Sequence, residues 1–332
     1  MNTTSSSLPH SMQTAAPDDV PGSGQDQPQV DATQRTPAAG ERALVLGGGG
    51  STGNAWLIGV IAGLFDAGLD VTTADLTIGT SAGSTAAAQI SGATPAELLA
   101  AILAAAPQQR TGPVRSGQGR GPIKPEADHL ERIRKIIASA EDAADMRRRM
   151  GAAALGMGAA SDGSWQTQWR ATVASRLPSQ QWPQRAVLIT AVDAQTGEPA
   201  VFDRHSGVEL ADAVAASCAS GIPNRIGDHR YIDGGYRSNA ENADLAAGYA
   251  RVLVLSPFGG RTLAPLEWGM HLASQVDELR AAGSKVETIF PDSGSEHMFG
   301  ANAMDLSLRP PAARAGYGQG KALAGQLAGF WR

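Results

Sequence analysis

The sequence predicts an α/β fold of three layers, in which a mostly parallel central sheet carries helices on both faces. Two observations support this prediction. Short apolar runs rich in Val, Ile and Leu alternate along the chain with longer segments of helical periodicity, which is the order of elements in a parallel sheet. Several of these runs end in glycine-rich or Asp-Gly turns, as strands do where they pass into loops.

The bulk composition excludes several classes of protein. A chain of 332 residues is long enough for an ample core in one large domain or two small ones. The formal net charge of −5 provides no basic field for nucleic acid. The single cysteine, Cys218, fits a reducing compartment, and no apolar run reaches the roughly 18 residues of a membrane span. The N-terminus lacks the pattern of a secretory signal, so we expect a cytoplasmic protein without a nucleic-acid partner.

The chain divides into a tail and one domain. Residues 1–40 are polar and poor in large apolar groups, so we expect a disordered tail there and a folded domain over 41–332. The domain begins with a strand at 43–46, a glycine-rich loop and a helix at 54–67 that ends at Gly68. A second strand at 75–78 leads into a small-residue helix at 82–90, and Thr94 caps a further helix at 96–105.

An insert is predicted at about 107–182. Residues 107–125 read as a long loop, and two or three helices follow at 128–140, 142–157 and 165–177. The basic run 147–149 lies near Met and Trp residues in this insert. Two interpretations stay open: a lid that makes peripheral contact with an anionic membrane surface, or a solvated basic face over a Met-lined core.

The alternation of strands and helices resumes after the insert. Apolar runs predict strands at 186–192, 200–203, 231–232, 251–255 and 285–290. Helical periodicity predicts helices at 208–218, 265–282 and 312–330.

One segment joins a strand to a helix through Gly-Thr-Ser-Ala-Gly at residues 79–83. Strand, sharp turn and helix is the order of a nucleophile elbow, in which the serine hydroxyl projects above the sheet edge. Gly79 and Gly83 would remove side-chain collisions in so tight a turn, and the helix N-terminus would favour negative charge on Ser81. The same pattern also fits a plain Gly-Ser turn, since the chain has 40 glycines.

The glycine-rich loop after the first strand admits two interpretations. The spacing of Gly48, Gly50 and Gly53 is typical of dinucleotide binding, but that site needs an acidic residue at the end of the second strand, where this chain has Ser81. The other interpretation is an oxyanion hole, because the amides of Gly48, Gly49 and Gly50 at a helix N-terminus can converge on one small anion. A parallel sheet would bring this loop and the elbow to one edge, which favours the oxyanion hole.

A serine nucleophile needs a base, and the sequence offers three candidates. His271 and His297 follow late enough for the order of a Ser-acid-His triad. Asp233 ends a strand and precedes Gly234 and Gly235, which allow its carboxylate to approach another backbone closely. An Asp-Gly turn is also common without any function. No His/Cys/Asp cluster has the spacing of metal ligands, so we expect neither a metal nor a cofactor.

The three motifs, taken in this order, resemble those of the patatin-like phospholipase family. The resemblance extends to residues 213–223 and Asn239, and it covers roughly 42–92 and 186–325; the insert is where such families vary. It implies a patatin-like fold and hydrolysis of a lipid or carboxylic ester by a Ser-Asp dyad without histidine, with Ser81 as nucleophile and Asp233 as base. It also implies an oxyanion hole that maps to Gly48, Gly49, Gly50 and the amide of Thr52.

One position departs from the pattern of the family. The family commonly has Arg or Lys just before the last glycine of the loop, where this chain has Thr52 before Gly53. The backbone amide is retained, but a cation that orients the loop or the lipid is not. A function of a different class stays open as well: a non-catalytic nucleotide- or lipid-binding α/β module in which the 79–83 segment is only a turn.

Overall fold

The computed structural model describes residues 1, 31–33, 40–105, 125–159 and 164–332. Within these residues the chain forms one eight-stranded sheet and nine α-helices. The strands are β1 (Gly40–Leu46), β2 (Leu76–Gly79), β3 (Ala186–Asp193), β4 (Pro199–Phe202), β5 (Asn224–Ile226), β6 (His229–Asp233), β7 (Tyr249–Leu255) and β8 (Lys285–Ile289). The helices are α1 (Gly50–Asp66), α2 (Ala82–Gly92), α3 (Pro95–Ala104), α4 (Pro125–Ser139), α5 (Ala143–Ala159), α6 (Ser164–Ala174), α7 (Leu210–Ser217), α8 (Leu272–Ala281) and α9 (Arg309–Trp331).

The sheet is parallel over most of its width. Its strand order is β5-β6-β3-β2-β1-β7-β8, and β4 also pairs with β3. The five strands from β3 to β8 in this order are parallel neighbours, whereas β4, β5 and β6 are antiparallel additions. Because neighbouring parallel strands end at the same edge, the loops after β1, β2, β7 and β8 gather on one side of the molecule.

Helices cover both faces of the sheet, as the side-chain alternation of β1 demonstrates. Leu44 and Leu46 pack in a core with residues of α1, α2, α3, α7 and α9. Ala43 and Val45 point the other way, into a core with residues of α8. A third cluster joins Met146 and other residues of α5 to β3 and β6. The structure therefore confirms the three-layer α/β fold that the sequence predicts.

Glycines let α1 and α9 pack at unusually close range. A Cβ atom built on Gly59 or Gly63 of α1 would lie 2.2 Å from a backbone carbonyl oxygen of α9. In the same way, a Cβ on Gly316 or Gly320 of α9 would lie within 2.4 Å of a carbonyl oxygen of α1. These glycines recur every fourth residue on each helix, so they share one face and form a continuous contact stripe.

The sequence-based helix at 265–282 is wrong in its first third. The structure begins α8 at Leu272, and Leu266–Trp268 form a single 3-10 turn. Gly269 follows with a φ of 66°, a left-handed conformation that ends the turn. Strand β5 was not predicted, because three residues are too few to establish a period.

Part of the N-terminal segment binds the sheet. The Ala32 amide donates to the Val201 carbonyl at 2.7 Å, and the Asp31 carboxylate accepts the Val201 amide at 2.9 Å. The expectation of disorder therefore does not hold for these residues or for Gly40, which begins β1. The rest of the expected tail, Met1 apart, and nearly all of the expected 107–125 loop lie outside the described residues.

No single helix in the described part of the chain is long and apolar enough to cross a bilayer. Only the bent pair Ala82–Gly92 and Pro95–Ala104 has the length and hydropathy of a membrane span when the two helices are taken together.

Gly316→Ala is expected to lower the free energy of unfolding by about 1–3 kcal/mol, because the new methyl group meets the Trp56 carbonyl oxygen at 2.4 Å. Gly318→Ala on the same helix is the matched control, since its Cβ would have no atom within 4 Å. There we expect no loss and a gain of up to about 1 kcal/mol from helix propensity. Urea denaturation of the three proteins measures both effects, and equal stabilities for the two variants would contradict the close α1–α9 contact.

Candidate active site

Ser81 occupies a strained turn between β2 and α2. Its φ of 52° and ψ of −115° lie in a region that non-glycine residues rarely adopt. A Cβ on Gly79 would lie 2.7 Å from the Ser84 Cα, and one on Gly83 would lie 1.8 Å from the Leu46 carbonyl oxygen. Both flanking positions therefore require glycine, and the turn has the conformation of a nucleophile elbow.

The end of α7 holds this turn in place. The Ser217 hydroxyl accepts the Ser81 amide hydrogen at 2.9 Å, and the Cys218 thiol donates to the Ser81 carbonyl oxygen at 3.1 Å. Burial raises the pKa of the Cys218 thiol to about 11, so the group stays protonated at neutral pH. These contacts give a structural reason for the similarity of the 213–223 segment to the family pattern.

Asp233 is buried at the end of β6, beside Ser81. Its carboxylate accepts the Gly235 amide at 2.8 Å. Burial raises the pKa of Asp233 to about 6, and the bond from Gly235 together with the adjacent Ser81 hydroxyl counteracts part of that rise. A Cβ on Gly234 would lie 2.2 Å from the Thr190 hydroxyl oxygen, so the Asp-Gly-Gly segment packs directly against β3.

Strand β3 brings the serine and the aspartate together. Its Ile189 pairs with Gly79 at the end of β2, and its Ala191 pairs with Asp233 at the end of β6. Since these positions are two apart on β3, the ends of the two oppositely directed strands meet within about 7 Å. The meeting point is Thr190, whose hydroxyl lies 2.9 Å from that of Thr80.

Asn242 fixes this junction, and the sequence analysis did not single it out. Its Nδ2 atom donates to the Thr80 hydroxyl at 2.9 Å and to the Gly234 carbonyl oxygen at 3.0 Å, so it ties together the neighbours of both candidate catalytic residues. It is fully buried and has a φ of 56°. The one sequence signal that could have indicated Asn242 is its position in the polar stretch after Asp-Gly-Gly, because asparagine tolerates the left-handed backbone conformation.

The glycine-rich loop lies against Ser81, but two of its four predicted oxyanion donors are already used. A Cβ on Gly48 would lie 3.4 Å from the Ser81 Cβ. The Gly48 amide donates to the Ala240 carbonyl at 2.7 Å, and the Thr52 amide donates to the Ala303 carbonyl at 3.0 Å. Within the described part of the chain, the Gly49 and Gly50 amides have no hydrogen-bond acceptor. The candidate hole therefore consists of Gly49 and Gly50.

A buried carboxyl group lies under the same loop. Glu241 is 1% exposed, and its Oε1 atom accepts the Ser256 hydroxyl at 2.5 Å. A Cβ on Gly47 would lie 3.3 Å from the Glu241 Cγ, so this side chain supports the start of the loop. Burial raises the pKa of Glu241 to about 7, and the hydrogen bond from Ser256 opposes that rise.

The two histidine candidates make their contacts elsewhere. His271 is the residue before α8, with its Nε2 atom 3.1 Å from the Ala264 carbonyl oxygen, and His297 is exposed in a 3-10 turn. None of the histidines in the described ranges hydrogen-bonds to Ser81 or Asp233. Nor do those ranges contain a group of three or more His, Cys, Asp or Glu side chains that could hold a metal ion.

Arg309 brings a cation to the loop that lacks one at position 52. Its guanidinium donates to the Ser51 carbonyl at 2.7 Å and to the Asn54 side-chain oxygen at 3.2 Å, at the first turn of α1. Burial and the positive charge of Arg176 lower the pKa of Arg309 to about 10, so it is charged at neutral pH. Nothing in the sequence pairs a residue at the start of the last helix with this loop.

The comparison with protein families agrees with this geometry. The family model of patatin-like phospholipases matches residues 44–245, which is more than half of the chain and includes both Ser81 and Asp233. The chain belongs to the patatin-like phospholipase family. Membership makes it a lipid acyl hydrolase in general terms, since that is the activity of the family.

Solved structures and curated proteins add little to the family assignment. The chain is similar to VipD from Legionella pneumophila with 13% sequence identity and a TM-score of 0.37, over 87% of this chain and 67% of that chain. No curated protein matches it.

Glu241→Gln is expected to remove a pH dependence from the stability of this patatin-like protein. The folded-state pKa is raised above the usual 4.5, so the folded state holds the proton longer than the unfolded chain does. The free energy of unfolding therefore falls by about 2–3 kcal/mol as pH rises from about 4.5 to 7, and it stays low at higher pH. Urea denaturation at pH 5 and pH 8 should detect that fall in the native protein. In Glu241→Gln the fall should be smaller by about 2–3 kcal/mol, and only the part that comes from the raised pKa of Asp233 should remain. Exposed Glu278→Gln is the control and should retain the full fall; a Glu241→Gln protein that also retains the full fall would contradict a buried, neutral Glu241.

Proposed function

We propose that this protein is a serine acyl hydrolase that cleaves lipid or simple carboxylic esters, with Ser81 as the nucleophile and Asp233 as the base. The observation that carries the proposal is the contact between the hydroxyl of a strained elbow serine and a buried carboxylate whose pKa is raised to about 6. Such a base is ionised at neutral pH and still able to accept the serine proton during attack.

The reaction would run in two halves. Asp233 takes the hydroxyl proton as Ser81 Oγ attacks the ester carbonyl, and the amides of Gly49 and Gly50 hold the oxyanion. The carbonyl then reforms, the C–O bond breaks, and Asp233 returns the proton to the departing alcohol. In the second half Asp233 deprotonates a water molecule that attacks the acyl-serine, which releases the carboxylic acid and restores the Ser81 hydroxyl.

A narrow crevice lined by Ile232, the residue before Asp233, supports an apolar acyl group as part of the substrate. It lies between α4, α5 and β6, and holds about 20 Å³, roughly the room of one water molecule. Its lining includes Met150, Met157, Ile232 and Tyr236. Methionine side chains adapt to irregular shapes, so an acyl chain can widen this crevice by moving them.

Ser81→Ala is expected to abolish hydrolysis of a p-nitrophenyl acyl ester, and Asp233→Asn is expected to lower kcat by about 10²–10⁴, the range for loss of a general base. His271→Ala and His297→Ala are the matched controls and should leave kcat unchanged. Steady-state kinetics on the purified variants measures these effects.

Two outcomes would reverse the proposal. Full activity in Asp233→Asn together with its loss in a histidine variant would assign the base to that histidine. A fluorophosphonate probe that fails to label Ser81 in the folded protein, mapped by peptide mass spectrometry, would favour a non-catalytic nucleotide- or lipid-binding module.

The pH profile tests the base directly. Since the ionised form of Asp233 is the base and its pKa is raised to about 6, kcat/KM should rise about tenfold per pH unit below 6 and level off above it. Glu241→Gln removes the other buried carboxyl group near the glycine-rich loop and should keep this rise of kcat/KM below pH 6. If the rise disappears in Glu241→Gln, the titrating group is Glu241 instead.

A further inference from the structure

The exposed large apolar side chains are concentrated in two loops. Five of those in the described residues follow β7 or β8: Leu263 (46% exposed), Leu266 (71%), Phe290 (40%), Met304 (56%) and Leu306 (43%). The others are Met1 and Phe65, and Phe65 lies at the far end of α1, away from the loop edge. Single exposed apolar residues are ordinary, but their clustering on one side of a protein marks an interaction surface.

Both loops border the candidate active site. In the loop after β7, Pro257 packs against Gly49, because a Cβ on that glycine would lie 2.5 Å from the proline ring. Further along the same loop, Ala264 belongs to the apolar cluster that contains Ile232, the neighbour of Asp233. In the loop after β8, Ala303 binds the first turn of α1 through its carbonyl oxygen. The two loops that carry the exposed side chains therefore lie at the same edge of the sheet as the glycine-rich loop beside Ser81.

A groove extends the apolar surface of the first loop. It has a volume of about 460 Å³ and lies between α4 and the loop after β7. Its lining includes Ile137, Leu263 and Trp268, and its charged positions are Arg134, Glu141 and Glu267. A groove of this kind gives room for acyl chains or glycerol backbones next to the entrance.

The charges on these loops disfavour an anionic partner. Residues 256–271 and 290–308 contain one arginine, Arg261, and four carboxylates: Glu267, Asp292, Glu296 and Asp305. The basic run of the insert makes its contacts with the turn after β3, with Arg237 and with Asp145 rather than with these two loops. Arg147 donates to the Gly197 and Arg237 carbonyls, and both of the following arginines pair with Asp145.

We propose that Leu263, Leu266, Met304 and Leu306 form a docking face that seats the active-site entrance on the surface of electrically neutral, zwitterionic lipid. This inference rests on the proposed function, since a docking face of this kind is useful to an enzyme that takes its lipid ester substrate from a lipid surface. Apolar side chains that enter the interface supply the binding free energy, and the acidic surroundings select against anionic lipid. The face thus fits a neutral bilayer better than the anionic surface expected for the basic insert.

The experiment measures binding without catalysis. The full-length Ser81→Ala protein is sedimented with phosphatidylcholine vesicles, and with vesicles in which phosphatidylglycerol replaces part of the phosphatidylcholine. Leu266→Asp/Met304→Asp in this background removes two contacts of the docking face. Phe65→Asp is the control, because it places a negative charge on an exposed large apolar residue outside the face. Circular dichroism checks that each variant is folded, and light scattering reports its oligomeric state.

The expected result is sedimentation with phosphatidylcholine that persists from about 0.15 M to about 1 M salt, where charge interactions are screened. The double variant should bind at least about tenfold more weakly, and Phe65→Asp should bind as well as the parent. The proposal is overturned if the parent ignores phosphatidylcholine, if binding needs phosphatidylglycerol and disappears in high salt, or if the double variant only converts a dimer to a monomer. Because Ser81→Ala removes catalysis from the measurement, a failed ester assay leaves this result unaffected.

Discussion

The hydrogen bonds around Thr190 are the constraint on which the site depends. Two strands that run in opposite directions end beside this residue, and each end carries one of the candidate catalytic side chains. Asn242 joins the two ends through the Thr80 hydroxyl and the Gly234 carbonyl. All of these polar groups are buried, so each depends on the others for its hydrogen bonds, and a shift of one strand would leave several of them unpaired.

The same close packing explains the chemistry of the aspartate. Glycine at positions 79, 83 and 234 lets backbone approach backbone to distances that any side chain would prevent. Water is thereby kept away from Asp233, and the loss of solvation raises the pKa of this carboxyl into the range of a useful base. Tight backbone packing and the raised pKa of Asp233 are thus two consequences of one arrangement.

The elements that the sequence predicted well are those with a strong local signal. β1, β2, α2 and β3 were predicted within a few residues of their observed bounds, because apolar periodicity, glycine turns and caps are local properties. The predicted start of a helix at residue 265, ahead of the observed start at Leu272, is wrong for a local reason as well. Gly269 interrupts the helical pattern with a left-handed conformation, and the apolar spacing around it concealed that break.

The sequence by itself determined which residues are available for chemistry: a serine in a glycine-flanked turn, an aspartate before two glycines, and a run of glycine amides at a helix start. Those features are local, because they follow from residue types at fixed spacing in one strand-turn segment. Only the tertiary structure decided which amides remain free. The carbonyl oxygens of Ala240 and Ala303, which are distant in sequence, accept hydrogen bonds from the amides of Gly48 and Thr52. It also decided that Arg309 supplies a cation near position 52, because such contacts depend on how distant segments pack and no local pattern records them.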